Sequence, residues 1–327
     1  MTRHPHFGAT LGVAMLLGST ALADTTIRFA HHLPQSSEQH IAAERFAEIV
    51  ADRSGGSLTV EIMPAGQMGG QREIIESVQI GTLDMGYGES GLYANYVPGF
   101  GILTLPYLYN DPAHWRRVVM GEIGEQMAQE LQAQTGLVVL NWIEAGYRDT
   151  YTTGKVITGP EDFEGLKIRV PESPVFVETF AALGAQPTPI PSPEIYTAMQ
   201  TGLVAAMEGT PEVGYIQRIY EVGDQLNKTR HIFFDGSFVT SQTFLDGLSD
   251  DERQIVLDAA AEVAAQQRDE RAGREDEWFA KLGEEGLAIN EVDAAPFREK
   301  LAPLQDMFAQ KAGAEAQLEA IRAEGTE

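Results

Sequence analysis

Arg169 lies in the run Gly165-Leu166-Lys167-Ile168-Arg169-Val170-Pro171, where Leu166, Ile168 and Val170 alternate with Lys167 and Arg169. That period of two marks a half-buried strand, and the flanking Gly165 and Pro171 keep it short. A guanidinium at the end of such a strand sits on a rigid scaffold. It offers a planar fork of donors that matches a carboxylate with two parallel hydrogen bonds. On spacing alone the plainer reading is an exposed strand arginine that contributes little. Three further residues occupy comparable places: His32 and Glu89 each follow a strand pattern, and Glu208 ends one. Paired carboxylates such as Glu89 and Glu208 also suit glycoside hydrolysis, provided they face one bond at about 5–10 Å. His31-His32 hints at a metal site, but neighbours on a strand point to opposite faces. No H-E-x-x-H motif accompanies them, and neither a nucleophile elbow nor a phosphate loop is present.

Composition narrows the class. The chain has 327 residues, 43% hydrophobic and 22% charged, enough for two globular domains. A formal net charge of −25 repels nucleic-acid backbones and anionic lipid alike. It repels a small anion too, so an anion binder of this composition must concentrate its arginines in one cleft. Residues 1–23 read as an export signal: Arg3 is the positive head, residues 11–17 are apolar, and Ala21-Leu22-Ala23 is an A-x-A cleavage site. Cleavage there removes Arg3 and takes the charge from −25 to −26. No later run approaches the ~18 apolar residues of a membrane span. With 0 cysteines the chain has no disulfide framework and no thiol chemistry.

Elements that would position these residues follow from periodicity. Residues 27–30 read as a strand ending in His31-His32-Leu33-Pro34. Ser36 and Gln39 then suggest a capping box for a helix that runs to Gly55. Residues 58–62 form a second strand, 71–80 a helix and 85–87 a third strand leading into Gly88-Glu89-Ser90-Gly91. This alternation implies a parallel sheet covered by helices, with ligands beyond the strands' carboxyl ends. Asp111-Pro112 opens a helix, and a second spans residues 121–134. Residues 137–142 and 148–153 read as strands separated by Ala145-Gly146, the expected first crossing between domains. Then come a helix over 173–183, a proline-threaded edge strand over 186–190, a helix from Ser192-Pro193 to Gly202 and a strand over 204–208. Ser249 and Glu252 form a capping box for a helix lasting to about Gly283, ~50 Å if continuous; a break near Gly273 is the alternative. The tail from Ala294 reads as helical, fraying before Glu327.

Several segments, in this order, resemble the DctP-like solute-binding proteins of tripartite ATP-independent periplasmic (TRAP) transporters. They are Phe46-Ala47-Glu48 through Ser54-Gly55-Gly56, Met63-Pro64-Ala65-Gly66-Gln67-Met68-Gly69-Gly70, Gly81-Thr82-Leu83-Asp84-Met85-Gly86 and Leu105-Pro106-Tyr107-Leu108-Tyr109. The most specific is Pro160-Glu161-Asp162-Phe163-Glu164-Gly165 running on through Pro171. Leu183-Gly184-Ala185 and Pro193-Glu194-Ile195-Tyr196-Thr197-Ala198-Met199-Gln200-Thr201-Gly202 complete the series. The resemblance implies an α/β fold of the periplasmic-binding-protein type, with two α/β domains around a ligand cleft and a long helix spanning both. The expected division is 24–146 plus about 233–270 for one domain, 147–232 plus about 271–310 for the other, and 311–327 as a C-terminal tail.

The resemblance further implies that Arg169 pairs with a ligand carboxylate, assisted by Arg148 in Gly146-Tyr147-Arg148. Glu208 matches the acidic residue of the family's Asp-Gly-x-Glu-Asn stretch. Glu89 and His32 match positions that face ligand in sialate-binding relatives. Departures occur at Ala205, where relatives carry an acidic residue, and at Gly209, where they carry asparagine. His32 replaces an asparagine of sialate binders and Leu92 an arginine, so the set that would read a sialate tail is incomplete. The expectation is a periplasmic binding protein, not an enzyme, that closes over a small organic acid and delivers it to TRAP membrane subunits. A sugar acid such as a uronate or aldonate is favoured. A C4-dicarboxylate or a 2-oxo or 2-hydroxy acid, held with or without a metal ion, is the alternative, and a glycoside hydrolase a remote one. No cofactor, no nucleic acid, no membrane insertion and a monomeric state are expected.

Overall fold

The computed structural model describes residues 25–271 and 273–325; the export-signal segment lies outside them. The chain begins β1 (Thr25–Ala30), α1 (Glu38–Arg53), β2 (Leu58–Met63), α2 (Gln71–Gln79), β3 (Met85–Gly88) and α3 (Ser90–Tyr93). It continues α4 (Pro112–Val119), α5 (Glu122–Thr135), β4 (Leu137–Val139), β5 (Ile143–Thr152), β6 (Lys167–Val170), α6 (Pro174–Ala182) and β7 (Gln186–Pro189). Then come α7 (Ile195–Gln200), β8 (Ala206–Gly209), α8 (Pro211–Ile216), β9 (Gln225–Ser241), α9 (Gln242–Gly247) and α10 (Asp250–Glu270). The last elements are α11 (Arg274–Glu284), β10 (Ala288–Glu291), α12 (Ala295–Ala312) and α13 (Glu315–Glu324).

The strand order is β2-β1-β3-β9-β5-β8-β6-β7, with β4 and β10 also paired to β9. β1 pairs in parallel with β2 and β3, and β6 with β7 and β8; β5 is antiparallel to β8 and β9, and β9 is antiparallel to β3, β4 and β5 but parallel to β10. The parallel groups form two α/β lobes, each with helices on its faces, and β5 and β9 run from one to the other. The expected strands over 137–142 and 148–153 are redistributed. β4 is three residues long, and β5 passes unbroken through Ala145-Gly146 with register shifts at Glu144/Gly146 and Arg148/Thr150. Gly146 sits there at φ 92°, in the left-handed region a glycine adopts readily. The prolines of β7 are tolerated because it is an edge strand.

In the first lobe Phe29, Phe46 and Phe238 meet at centroid separations of 4.9–6.3 Å. In the second, Phe163, Phe180, Ile168 and Phe297 make the corresponding core. Each such fully buried side chain contributes roughly 1.5–3 kcal/mol. The cap of α1 differs by one residue from expectation. Ser37 is the N-cap, its Oγ accepting from His40 N at 3.1 Å, and Gln39 takes no part. The Ser249–Glu252 capping box of α10 forms as read. The long helix is two helices: α10 ends at Glu270, and Gly273 at φ 84° caps a separate α11. α10 packs on α1 and α11 on α8, so the pair still traverses both lobes. α12 ties them as well, placing Phe297, Leu301 and Leu304 in the second core and Phe308 in the first. The tail does not fray up to Gly325, because α13 buries Leu318 and Ile321 against the first lobe.

Candidate ligand-binding cleft

Between the lobes lies a cleft with about 590 Å³ of unfilled space, mouth included. The first lobe lines it with His32, Gln39, Gln71, Tyr87 and Glu89, the second with Arg148, Arg169 and Thr210. His32 follows β1, Glu89 follows β3 and Arg169 lies near the end of β6, so strand carboxyl ends converge here. A larger hollow, about 880 Å³, opens behind β5. Three of its four arginines, Arg116, Arg230 and Arg271, lie against Glu144, Glu275 and Glu38 at 2.8, 2.9 and 3.6 Å.

Arg148 is neutralised from within the protein. Its Nε and Nη2 donate to the Glu208 carboxylate at 2.5 and 2.6 Å, a two-pronged pair, and Nη2 reaches the Glu208 carbonyl at 3.1 Å. The rings of Phe176 and Phe234 lie 5.1 and 4.2 Å from its guanidinium carbon. His231 Nε2 stands 3.3 Å from Glu208 Oε2, the oxygen that also accepts from Arg148 Nε, and His231 Nδ1 meets Thr229 Oγ1 at 2.9 Å. Burial alone would raise the Glu208 pKa, but Arg148's charge and the bonds from His231 and Arg148 hold it at about 2.

Arg169 is different. It is 4% exposed, and its Nε donates to the Ile190 carbonyl at 2.8 Å. Among the described residues its terminal nitrogens have no hydrogen-bond partner, and the one carboxylate within 4 Å is Glu208, 3.9 Å from Nη1. Burial, opposed by Glu208 and reinforced by Arg148, lowers its pKa to about 10, so it stays charged at neutral pH. Glu89 lacks a cation within ion-pair distance among the described residues. Burial lifts its pKa to about 7 against the pull of Arg148, Gln71 and Arg169. His32 is driven down to about 3 by burial and then by His31, Arg169 and Arg148, and is neutral. Its Nε2 lies 3.4 Å from Gln71 Nε2, and its Nδ1 is buried without a partner among the described residues. Arg148, Arg169 and Glu208 sum to one positive charge, which an ionised Glu89 cancels.

A sequence profile, "Bacterial extracellular solute-binding protein, family 7" (DctP), matches residues 29–311. The chain belongs to this family. The 2,3-diketo-L-gulonate-binding periplasmic protein of Escherichia coli is 30% identical over 292 residues, covering 89% of each chain. A TRAP periplasmic solute-binding protein from Polaromonas sp. JS666, solved with D-erythronate, superposes with a TM-score of 0.87 at 31% identity. It covers 91% of this chain and 98% of its own. One from Roseobacter denitrificans, solved with β-D-glucuronate, gives 0.87 at 30% identity, covering 91% and 99%. The protein is thus a solute-binding subunit of the TRAP transporter type, and these proteins bind substrates for transporters rather than act as enzymes.

Four of the five residues singled out from the sequence line the cleft: His32, Glu89, Arg148 and Arg169. Glu208 does not. It is fully buried behind Arg148, so Glu89 and Glu208 cannot flank a glycosidic bond. His31 and His32 both lie just past the end of β1 and diverge there: His31 Nε2 lies 2.9 Å from His40 Nδ1, away from the cleft lining. Among the described residues no group of three or more His, Cys, Asp or Glu is arranged to hold a metal ion. Sequence reasoning missed Gln39, Gln71, Tyr87, Thr210 and the aromatic walls of Arg148. Gln39 was absorbed into the wrong cap. Gln71, opening α2 after two glycines, carried no chemical signal. Tyr87 fits because Gly236 faces it; a Cβ there would stand 1.8 Å from the tyrosine Oη.

Proposed function

We propose that the protein captures a small monocarboxylate of the sugar-acid type, a uronate or aldonate, and delivers it to the membrane subunits of a TRAP transporter. The carboxylate sits on the free edge of Arg169, with Arg148 beside it. Glu208 is the counterion that keeps Arg148 in place, while Glu89 and His32 exchange hydrogen bonds with ligand hydroxyls. The observation that carries this reading is Arg169, a buried guanidinium whose terminal nitrogens lack a partner among the described residues, next to an arginine already paired. An unpaired buried charge is costly, and a carboxylate in the cleft removes that cost. With Glu89 protonated, as burial favours, the site carries one positive charge that a monoanion neutralises; a second carboxylate would leave the closed cleft with excess negative charge, which argues against a C4-dicarboxylate. The diketogulonate-binding relative and the erythronate and glucuronate complexes support the sugar-acid class.

Binding draws together the bodies formed by residues 24–146 with about 233–270 and by 147–232 with about 271–310. Contacts made to both at once favour the closed form. The mature protein begins after Ala23, works in the periplasm and acts as a monomer. The test is calorimetry and thermal shift of ligand-stripped protein with D-glucuronate, D-gluconate, succinate and glucose. A sugar acid at 1,000 times its Kd adds about 4 kcal/mol of stability. Arg169→Ala should cost ~2–5 kcal/mol of binding. Binding of glucose in preference to the acids, or an Arg169→Ala protein that binds like wild type, would overturn the assignment.

A further inference from the structure

The N-terminus of α1, in the first lobe, is held from the second. Glu212, in the first turn of α8, is 4% exposed, and its Oε1 accepts from the backbone N–H of Glu38 at 2.7 Å. Glu38 is the first residue of α1, so this N–H is one that the helix itself cannot satisfy. The Glu38 carboxylate in turn accepts from Trp278 Nε1 of α11 at 3.1 Å and lies 3.6 Å from Arg271 Nη1. α8 and α11 pack on each other in the second lobe, whereas α1 packs on α10 and β2 in the first. The two clasps therefore cross the cleft. They stand at its edge: Gln39, adjacent to Glu38, and Thr210 and Val213, flanking Glu212, all line the ligand space.

We propose that Glu212 is a positioning residue that latches the closed cleft, capping α1 from the opposite lobe so that Gln39 is held over the ligand. It touches no ligand. It adds to the closed state alone, because opening the lobes parts Glu212 from Glu38 while each lobe keeps its own core. A residue with that property sets the rate of release more than the rate of encounter. The acceptor oxygen is what matters, and a glutamine carries one in the same place. This rests on the closing-cleft reading above.

The test compares wild type, Glu212→Ala and Glu212→Gln in the full mature chain. Release of D-glucuronate is followed by stopped-flow tryptophan fluorescence. Lobe separation is followed by spin labels at Ile80→Cys and Leu203→Cys, two exposed positions in a chain with 0 native cysteines. Losing the hydrogen bond that holds the Glu38 N–H in the closed cleft should speed release by about tenfold in Glu212→Ala. The association rate and ligand-free melting should remain near wild type, and Glu212→Gln should restore slow release to within about twofold. Equal release from wild type and Glu212→Ala overturns the latch, as does Glu212→Gln releasing as fast as Glu212→Ala. If D-glucuronate fails to bind wild type, the sugar-acid reading falls and the ligand-free label distances decide the latch alone. A longer or broader distribution in Glu212→Ala supports it, and an unchanged one overturns it.

Discussion

Replacing Glu208 by glutamine removes one charge and almost no volume, and it should change both stability and ligand preference. Glu208 is fully buried, forked to Arg148 at 2.5 and 2.6 Å and 3.9 Å from Arg169. Breaking a buried pair from one side costs about 3–5 kcal/mol, because the remaining charge stays in place without its partner. A chain with about 300 ordered residues loses roughly 0.6 kcal/mol per kelvin at its midpoint, so Tm should fall by about 5–8 °C. The cleft gains one unit of positive charge at the same time. Unit charges ~4 Å apart at an effective dielectric near 20 interact by about 4 kcal/mol. Even a third of that shifts relative affinity about tenfold. D-gluconate and D-glucarate share a skeleton and differ by one carboxylate, so calorimetry with that pair isolates the charge. Wild type should prefer gluconate, and Glu208→Gln should move the ratio toward glucarate by tenfold or more. A variant that melts with wild type and keeps the wild-type ratio would refute the view that Glu208 balances the arginines.

Stability should fall as pH rises from about 6.5 to 8. Burial raises Asp149 to about 8 and Glu89 and Glu212 each to about 7, so the folded protein binds more protons than the unfolded chain across that window. His31, His32 and His231, all lowered by burial, act oppositely chiefly below it. Glu208, held at about 2, acts oppositely: its stabilisation is complete above its unfolded pKa and is lost as pH drops through 2. Calorimetric Tm values at pH 6.5 and pH 8 check this; a higher Tm at pH 8 contradicts it. Gly273→Ala should destabilise by about 1 kcal/mol, since the break between α10 and α11 uses φ 84°. If the alanine instead raised Tm, the two helices would have to be joined in solution.

The fold was largely legible, because period-2 and period-3.6 patterns report burial directly and most elements here are buried on one face. Arg169, His32 and Glu89 were legible for a related reason: a polar residue at the carboxyl end of a parallel strand has nowhere to point but the switch-point crevice. What local patterns could not reveal was depth. Glu208 is next to last in β8 and Glu89 directly follows β3, yet one lies behind Arg148 and the other lines the cleft. That difference comes from β5, which brings Arg148 alongside β8 from 60 residues away. The α10–α11 break was legible only as an alternative, because a glycine inside a helical pattern is tolerated as often as it ends one. The cap of α1 was misread because Ser36 and Ser37 are both competent. Which serine serves depends on the turn after Pro34, where Ser37 N bonds to the Pro34 carbonyl at 3.0 Å.

An overall charge of −25 and the anionic ligand proposed above are compatible only because of where the arginines lie. The long-range field opposes an arriving anion, but at physiological ionic strength it is screened beyond about 8 Å. Inside that distance the anion meets Arg169, whose terminal nitrogens make no hydrogen bond among the described residues, and a paired Arg148 that adds little net charge. Attraction is therefore confined to the cleft and works only at short range. A site of this kind gains little from electrostatic steering, so its affinity must reside in slow release. On the readings proposed above, two features serve that end: the fork of Arg169 and the clasp of Glu212 and Trp278 on α1 across the cleft.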